Sequence, residues 1–181
     1  MGTIPDIVTI HERPTDVEDR VIPGNWEGDL VLGKDHASAI GTLVERTTRM
    51  VKLVPLHEGK DAISVKDGFK QALSPYPPFL KKSMTYDRGK EMSKHKEFTK
   101  ESGISVYFCD PHSPWQRGSN ENTNRLIRSF FPKGTDFDLV SREELQRVED
   151  SLNDRIRKTL NWKTPRECFN ALLHEKISTK V

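Results

Sequence analysis

The sequence contains few cysteines and no long hydrophobic run, and each of these absences excludes a class of protein. Two cysteines, Cys109 and Cys168, cannot build a disulfide framework and do not have the spacing of a zinc knuckle. No stretch approaches the ~18 apolar residues that a membrane span requires. Residues 1–6 lack the basic and apolar segments of a secretory signal. We therefore expect a cytoplasmic protein with no membrane partner.

An excess of charge of one sign is lacking as well. The 29 basic and 27 acidic residues leave a formal charge of +2 at pH 7, so the overall charge does not indicate a nucleic-acid partner. Hydrophobic residues make up 34% of the chain and charged residues 31%, which predicts a compact core under a wide charged surface. The length of 181 residues fits one domain.

The hydrophobic pattern predicts an α/β fold. Short runs of β-branched and apolar residues alternate with segments whose apolar residues repeat at helical spacing. Because three strands come first and the later strands are separated by helices, we expect a mixed sheet flanked by helices. The predicted strands are at 26–33, 37–47, 50–56, 83–86 and 104–109, and the predicted helices are at 62–73, at 91–100 and from 119, 141 and 164 onwards.

Two of the helix starts carry capping signals. Residues 141–144 (Ser-Arg-Glu-Glu) have the spacing of a capping box, and the apolar stripe behind them predicts a helix that continues through Ile156 to Leu160. Residues 164–167 (Thr-Pro-Arg-Glu) combine a cap, a proline at the first helical position and a reciprocal glutamate.

The chain divides into three parts on composition. Residues 1–24 are polar, proline-containing and acidic, which predicts an N-terminal arm that is the remnant of a linker. Residues 25–175 contain the alternating strands and helices and form the predicted core, and residues 176–181 form a short C-terminal tail.

Three carboxylates stand where a structural role is hard to assign. Asp29 interrupts an apolar strand, Asp87 follows the fourth strand at the end where α/β sheets bind ligands, and Glu121 lies near the start of the next long helix. Three oxygen donors gathered at one point suit Mg²⁺. Taken singly, each has a structural alternative: a strand-edge residue for Asp29, an Asx-turn for Asp87 and a helix-dipole carboxylate for Glu121.

Weaker signals surround these three residues. Glu27, on the strand face of the first aspartate, and Glu91 are reserve candidates for a metal ligand. We interpret His95 and His112 as surface or phosphate-contacting groups, and Cys109 as a small buried hydrophobic residue.

The helix that carries Glu121 has two different faces. At ~100° per residue one stripe is polar, and we expect the opposite side to pack on the sheet. A carboxylate flanked by amide and guanidinium groups suits a metal ligand placed beside anchors for a phosphate backbone. The polar stripe is Glu121, Asn124, Arg125 and Arg128, and the opposite side is Leu126, Ile127, Phe130 and Phe131.

Positive charge is concentrated in three segments. Residues 81–100 hold seven basic and three acidic residues, 112–133 hold four basic residues and one acidic residue, and 155–166 hold five basic residues and no acidic one. Each segment alone is equally typical of a solvated helix face, but together they predict duplex DNA bound with strong salt dependence across the face that bears the carboxylates. For Trp115, insertion toward DNA and packing as a lid on the core both stay open. The expected DNA contacts are Lys90, Trp115, Arg117, Asn120, Asn124, Arg125, Arg128, Arg157 and Lys158.

The motifs around the three carboxylates resemble those of the insertion-sequence-30 family of bacterial transposases. Asp29, Asp87 and Glu121 are similar to the Asp-Asp-Glu triad of that family, and the block at 113–124 (SPWQRGSNENTN) is its most specific match. The segments WEGDL at 26–30, YDRGKE at 86–91 and FPKGTD at 131–136 continue the likeness, which covers roughly residues 5–173. Arg125 stands where the family commonly has glycine, and Ile156 stands where it has proline.

The resemblance implies a ribonuclease H-like fold, with a five-stranded mixed sheet of three antiparallel strands followed by two parallel ones. It implies metal-dependent DNA cleavage and strand transfer, with Asp29 bridging two Mg²⁺ ions, Asp87 completing one ion site and Glu121 the other, and with Mn²⁺ as a substitute. The implied partners are transposon ends, a target duplex and further copies of the chain. Because the family normally also carries an N-terminal helix-turn-helix region, we expect this sequence to be the catalytic part without that region.

Two alternatives remain at this point. The first is a stand-alone Mg²⁺-dependent nuclease that has the same triad and no joining step. The second is a truncated, non-catalytic remnant that only binds DNA.

Overall fold

A computed structural model describes residues 4–178 of the chain, with side chains up to residue 175, and it contains one five-stranded mixed sheet. The spatial order of the strands is β3-β2-β1-β4-β5. β1 pairs antiparallel with β2 and β2 with β3, whereas β1 and β4, and β4 and β5, pair in parallel. The predicted fold class is therefore confirmed. The strands are β1 (Asn25–Leu32), β2 (Ala39–Glu45), β3 (Val51–Pro55), β4 (Ser83–Tyr86) and β5 (Ser105–Phe108).

Helices cover both faces of this sheet, and each face has its own apolar core. One core includes Trp26 of β1 with Phe69, Phe98 and Phe169, and the other includes Val31 of β1 with Ile127. Successive side chains of a strand point to opposite faces, so the odd-numbered residues of β1, Asp29 among them, lie on the same side as Ile127. The helices are α1 (Ala62–Leu73), α2 (His95–Ser102), α3 (Gly118–Phe130), α4 (Arg142–Asn153) and α5 (Pro165–Ser178).

Both predicted helix caps are present. The Ser141 hydroxyl accepts a hydrogen bond from the backbone N–H of Glu144 at 3.1 Å. Thr164 and Glu167 form a reciprocal pair, because the N–H of Glu167 donates to the Thr164 hydroxyl at 3.1 Å and the N–H of Thr164 donates to the Glu167 carboxylate at 2.7 Å. These bonds satisfy backbone donors that a helix start leaves free.

Two predicted helices end or begin elsewhere. α4 ends at Asn153, so the prediction that it continues to Leu160 is wrong, and Ile156 is 60% exposed. The chain turns back on itself there, because the N–H of Arg157 donates to the carbonyl of Lys163 at 2.9 Å. The helix predicted at 91–100 begins only at His95, after a separate 3₁₀ turn at Lys90–Met92.

The N-terminal arm packs on the core rather than trailing from it. Ile10 and Val17 are buried, and the buried Arg13 donates a hydrogen bond to the Thr85 hydroxyl of β4 at 2.8 Å. Thr9 forms a parallel bridge with Phe108 at the outer side of β5. At the other end, α5 extends into the predicted tail as far as Ser178, and residues 179–181 lie outside the described residues. No helix among residues 4–178 is long and apolar enough to cross a lipid bilayer.

Candidate active site

Asp29 and Asp87 lie next to each other because their strands do. β1 and β4 are parallel neighbours, with Asn25 paired to Ser83 and Glu27 to Thr85. The same register brings Asp29, within β1, beside Asp87, the first residue after β4. The two aspartates therefore lie at adjacent strand ends, as their contacts with one arginine also show.

A single guanidinium group holds the two aspartates together. Nη1 of Arg117 is 3.2 Å from Oδ2 of Asp29, and Nη2 is 3.2 Å from Oδ2 of Asp87. Nη1 also donates to the carbonyl of Gly28 at 2.9 Å. Only 7% of Arg117 is exposed, and its buried Nε has no partner among the described residues. Arg117 therefore acts as an internal cation between the carboxylates.

Other hydrogen bonds fix the direction in which each carboxylate points. Oδ2 of Asp29 accepts from the amide of Asn124 on α3 at 2.9 Å, and its Oδ1 accepts from the N–H of Leu30 at 2.9 Å. Oδ1 of Asp87 accepts from the N–H of Gly89 at 2.8 Å, which is the Asx-turn geometry considered as the structural alternative. The turn and the ion pair use different oxygens of Asp87, so one does not exclude the other.

The electrostatics of the pair are unfavourable for two negative charges. Burial raises the pKa of Asp29, and the charge of Asp87 raises it further, although Arg117 opposes both effects. Burial alone would lower the pKa of Arg117, but the two aspartates outweigh it and raise that pKa. Arg117 is thus the positive charge that both carboxylates contact.

A cavity of about 520 Å³ opens beside the two aspartates. Glu91 lies in its wall, and burial followed by the negative charge of Asp87 raises the pKa of this carboxyl. Its Oε1 accepts a hydrogen bond from the hydroxyl of Tyr86 at 3.1 Å. The residues that line the cavity include Asp29, Asp87, Glu91, Lys60, Asp61 and Lys90.

Glu121 is exposed on the first turn of α3. It precedes by three residues Asn124, the residue whose amide binds Asp29, and side chains three apart are neighbours on a helix surface. Within residues 4–178, no three side chains of histidine, cysteine, aspartate or glutamate are arranged so that they could hold one metal ion. The three-carboxylate site stays a prediction, and of its three members Asp29 and Asp87 contact the same guanidinium group.

The donor set nevertheless suits a hard divalent cation. Asp29 and Asp87 present carboxylate oxygens, the ligands that Mg²⁺ prefers, and both already converge on one cationic group. Residues that fit the ion are therefore present, with Arg117 in contact with both carboxylates.

Glu27, a reserve candidate for a metal ligand, has a different role. It is completely buried, and its Oε1 accepts from Arg46 at 2.8 Å while its Oε2 accepts from the N–H of Asn120 at 2.7 Å. Because both oxygens are engaged, Glu27 ties the start of α3 to β1. Sequence reasoning missed this role; a second acidic residue on the inner face of β1, with Arg46 downstream, was the available signal.

Two of the predicted DNA contacts are engaged inside the protein. Arg117 binds the aspartates, and Asn120 is fully buried, with its amide donating to the carbonyl of Glu27 and the hydroxyl of Thr42, both at 3.2 Å. Burial corrects the expectation that these two side chains reach DNA. Asn124 is likewise bonded to Asp29, and Arg128 donates to the carbonyl of Leu32 at 2.7 Å.

The other predicted contacts lie at the surface. Trp115 is 70% exposed, so it is not a lid on the core. Arg157 is half-buried beside the start of α3. The exposed members of the predicted set are Lys90, Trp115, Arg125 and Lys158.

The predicted inner face of α3 is only partly correct. Ile127 and Phe131 are buried, but Phe130 is 45% exposed, and Thr123, which was not assigned to this face, is buried.

The predictions for two histidines and one cysteine have mixed outcomes. His95 is buried and its Nε2 lies 3.1 Å from the carbonyl of Pro5, so its interpretation as a surface group is wrong. Cys109 is buried as expected, and burial raises its pKa to about 11. His112 is exposed.

Comparison with known proteins finds transposases among the relatives of this chain. The chain is 51% identical over 172 residues to the transposase for insertion sequence element IS1086 of Cupriavidus metallidurans, a match that covers 95% of this chain and 50% of that protein. It is 50% identical over 158 residues to the transposase InsI for insertion sequence element IS30A of Escherichia coli, covering 87% of this chain and 41% of that protein. The chain thus spans about half the length of the curated relatives it matches.

Solved structures share the fold at low identity. The catalytic core domain of BIV integrase superimposes with a TM-score of 0.62 and 21% identity, covering 85% of this chain and 98% of that chain. A chain of the simian T-cell lymphotropic virus intasome, solved in complex with the PP2A regulatory subunit B56 gamma, gives a TM-score of 0.64 at 15% identity, covering 81% of this chain and 54% of that chain. These likenesses confirm the expected ribonuclease H-like architecture.

The family assignment follows from sequence. Residues 22–114, more than half of the chain, match the family described as integrase core domain. This segment includes Asp29, Asp87 and both parallel strand pairs, and it ends before α3. The transposase relatives confirm the resemblance to the insertion-sequence-30 family, and the chain belongs to the integrase core domain family.

Proposed function

We propose that this domain carries the metal-dependent centre with which an insertion-sequence transposase cuts and joins DNA. The observation that supports this most is the convergence of Asp29 and Asp87, on neighbouring parallel strands, on one cationic group beside an open cavity. The chain also shares about 50% sequence identity with two transposases over most of its length.

The proposed ligands of two Mg²⁺ ions, or of Mn²⁺ in their place, are Asp29, Asp87 and Glu121. When bound, two such ions activate the attacking oxygen and stabilise the leaving oxygen of a phosphodiester. The protein's part is to hold the ligands in place. Asn124 and the N–H of Leu30 orient Asp29, and the N–H of Gly89 orients Asp87.

Arg117 has a defined part in this proposal as a positioning residue. Its positive charge contacts both carboxylates and offsets their mutual repulsion, so the two side chains face the same cation before any metal ion binds. Its pairing with backbone at Gly28 keeps it attached to β1. Arg117 acts through the aspartates and is not expected to touch DNA.

The reaction that we propose has two steps. In cleavage, water attacks a phosphorus atom at the transposon end and the bond to the 3′ oxygen breaks, which leaves a free 3′-hydroxyl group. In joining, that hydroxyl attacks a phosphorus atom of the target duplex, and the 3′ oxygen of the target strand leaves. Exposed Lys90, Trp115, Arg125 and Lys158 are the proposed contacts to the two duplexes. We also propose that more than one copy of the chain acts together to hold two transposon ends, and that the protein works in the cytoplasm.

The test compares two aspartate substitutions in a plasmid-nicking assay with Mg²⁺ or Mn²⁺. Asp87→Asn keeps the shape of the side chain, and we expect its nicking rate to fall by at least about 100-fold, beyond the ~10–100-fold cost of losing a group that only supports a metal ligand. The matched control is Asp67→Asn, an exposed aspartate on α1. DNA affinity is measured in parallel and should change little.

The same experiment separates the alternatives. Pre-cleaved transposon-end DNA added to a supercoiled target gives joined product if the chain is a transferase and only nicked plasmid if it is a nuclease. Equal nicking rates for Asp87→Asn and the parent chain would overturn the assignment of the site.

A further inference from the structure

A second cavity, of about 310 Å³, lies beside the beginning of α3 and has a strongly basic lining. It shares no lining residue with the cavity of Asp29 and Asp87. Three chain segments that are distant in sequence each contribute one arginine. The cavity is lined by Arg20 of the N-terminal arm, Arg49 of the β2–β3 turn and Arg157 of the loop after α4, together with the hydroxyl residues Ser119, Thr123 and Thr159.

Two of these arginines share a neutral acceptor. Arg20 and Arg49 both donate a hydrogen bond to the hydroxyl of Ser119, which carries no charge. The carboxylate nearest to Arg20 is Glu27, whose Oε1 is 3.8 Å away and already accepts from Arg46 at 2.8 Å. Two positive charges are thus held side by side around one oxygen atom.

The other arginine contacts show the same deficit of negative charge. Across the described part of the chain, neither Arg49 nor Arg157 has a carboxylate oxygen within 4.0 Å. Nη2 of Arg157 donates to the carbonyl of Leu152 at 3.2 Å, and its Nε is buried with no partner among residues 4–178. No acidic side chain lines the cavity.

The surroundings of Arg49 and Arg157 disfavour their positive charge. Burial lowers the pKa of Arg49 and the charge of Arg20 lowers it further, while the charges of Glu27 and Glu45 oppose the shift without reversing it. Burial also lowers the pKa of Arg157, with the charge of Arg155 acting in the same direction. An anion inside the cavity would relieve this repulsion, because it would face three guanidinium groups at once.

We propose that Arg20, Arg49 and Arg157 form a phosphate-binding pocket. A guanidinium group presents paired N–H donors that match the oxygens of a phosphate, and the hydroxyl groups of Ser119 and Thr159 line the same cavity. The ligand is either a phosphate group of the DNA backbone or free inorganic phosphate. Only the first source rests on the proposed function, in which case the surface that binds DNA includes the beginning of α3.

The first experiment uses inorganic phosphate and needs no catalytic activity. Thermal unfolding and calorimetric titration are carried out in EDTA, with ionic strength matched by sodium chloride, so the result does not depend on divalent metal. We expect phosphate to stabilise the parent chain more than chloride does. In Arg157→Gln, phosphate binding should weaken by about tenfold, the cost of one charge-assisted hydrogen bond.

Arg155→Gln is the matched control for this substitution. It removes the same charge two residues away, from an exposed side chain that does not line the cavity. Arg49→Gln is the second pocket variant, and the unfolding curves recorded without phosphate show whether each variant is folded. Arg157 lies in a loop, so we expect Arg157→Gln to fold. This variant therefore tests the proposal even if Arg49→Gln does not fold.

The second experiment identifies the source of the phosphate. Duplex DNA binding is followed by fluorescence anisotropy at several salt concentrations. If the DNA backbone fills the pocket, Arg157→Gln lowers affinity and reduces the salt slope by about one, while inorganic phosphate competes with DNA for the parent chain. If DNA binding is the same in Arg157→Gln and Arg155→Gln while phosphate binding differs, the pocket takes free phosphate. Equal phosphate binding by the parent, Arg49→Gln and Arg157→Gln would overturn the proposal.

Discussion

At the scale of single residues, Asp29 shows most clearly how the site departs from an ordinary protein interior. Its side chain is 21% exposed and lies between the cationic Arg117 and the amide of Asn124. Burial raises the pKa of Asp29 above its ordinary value even with Arg117 in contact. Since a raised pKa means that the folded protein binds the proton more tightly than the unfolded chain does, the ionised form of Asp29 destabilises the fold.

We therefore expect Asp29→Asn to be more stable than the parent chain at pH 7, by about 2–4 °C in Tm for a domain of this size. The difference in stability between the two proteins shrinks as the pH falls through the folded pKa of Asp29 toward the unfolded value of 3.8, because protonation of Asp29 then favours the folded state of the parent. Unfolding curves recorded across this pH range test the prediction. An asparagine variant that is less stable at pH 7 would mean that the attraction of Arg117 exceeds the cost of burying the charge.

Sequence reasoning located both aspartates but assigned Arg117 to DNA. A carboxylate inside an apolar strand and another at the end of the neighbouring strand can be recognised from local pattern alone. The partner of the two carboxylates cannot, because Arg117 is 88 residues after Asp29 in the chain and 30 after Asp87, and only the tertiary fold brings them together. The same holds for Glu27, whose partners Arg46 and Asn120 lie on a turn and on α3.

At the scale of elements, α4 serves as a cover for the outer strand β3. The side-chain amide of Asn153 donates to the carbonyl of Val51 at 2.9 Å, and its oxygen accepts from the N–H of the same residue at 2.8 Å. Glu149 accepts from the N–H of Leu53 at 2.8 Å. These side chains satisfy backbone groups that have no neighbouring strand, which is the usual liability of a sheet edge.

Asn153→Leu preserves volume and removes both hydrogen bonds to Val51. Because Asn153 and Val51 are completely buried, two backbone groups would be left without partners, and we expect a loss of about 2–4 kcal/mol in the free energy of unfolding. Urea denaturation measures it, and Asn170→Leu, at an exposed position of α5, is the control. A loss no larger than the control's would show that the strand edge does not depend on Asn153.

Elements with regular periodicity were predicted well, and those that end by tertiary contacts were not. α1 and β4 have the predicted bounds. The apolar repeat of α1 and the prolines that follow it define this helix locally, and Asp87 marks the end of β4. The helix predicted to continue to Leu160 ends at Asn153, because the pairing of Arg157 with Lys163 and the left-handed backbone of Asn161 and Trp162 redirect the chain. Apolar residues at helical spacing do not reveal such a turn.

At the scale of the whole molecule, α3 connects the two candidate sites. It runs along β1, with Asn120 bonded to Glu27, Asn124 to Asp29 and Arg128 to Leu32. Its first residues also border the arginine cavity. The aspartate pair and the proposed phosphate pocket therefore both contact the same helix.

Divalent metal should stabilise the entire fold. An ion that binds only the folded state adds ~2.7 kcal/mol to the free energy of unfolding at 100 times its Kd, and we expect Mn²⁺ to raise Tm accordingly relative to EDTA. The double variant Asp29→Asn/Asp87→Asn should lose this response, whereas Asp67→Asn should keep it. A response of equal size in the double variant would place the ion elsewhere on the protein.

Both borders of the sheet are already engaged within one copy of the chain. Asn153 and Glu149 occupy backbone groups of β3, and the N–H of Phe108 at the end of β5 donates to the carbonyl of Val8 at 2.9 Å. Two copies consequently cannot associate by continuing one sheet into the next at these positions. In the proposed assembly of several copies on a pair of transposon ends, the copies would meet through helical surfaces, loops or the DNA itself, and the nucleic acid would then set their spacing.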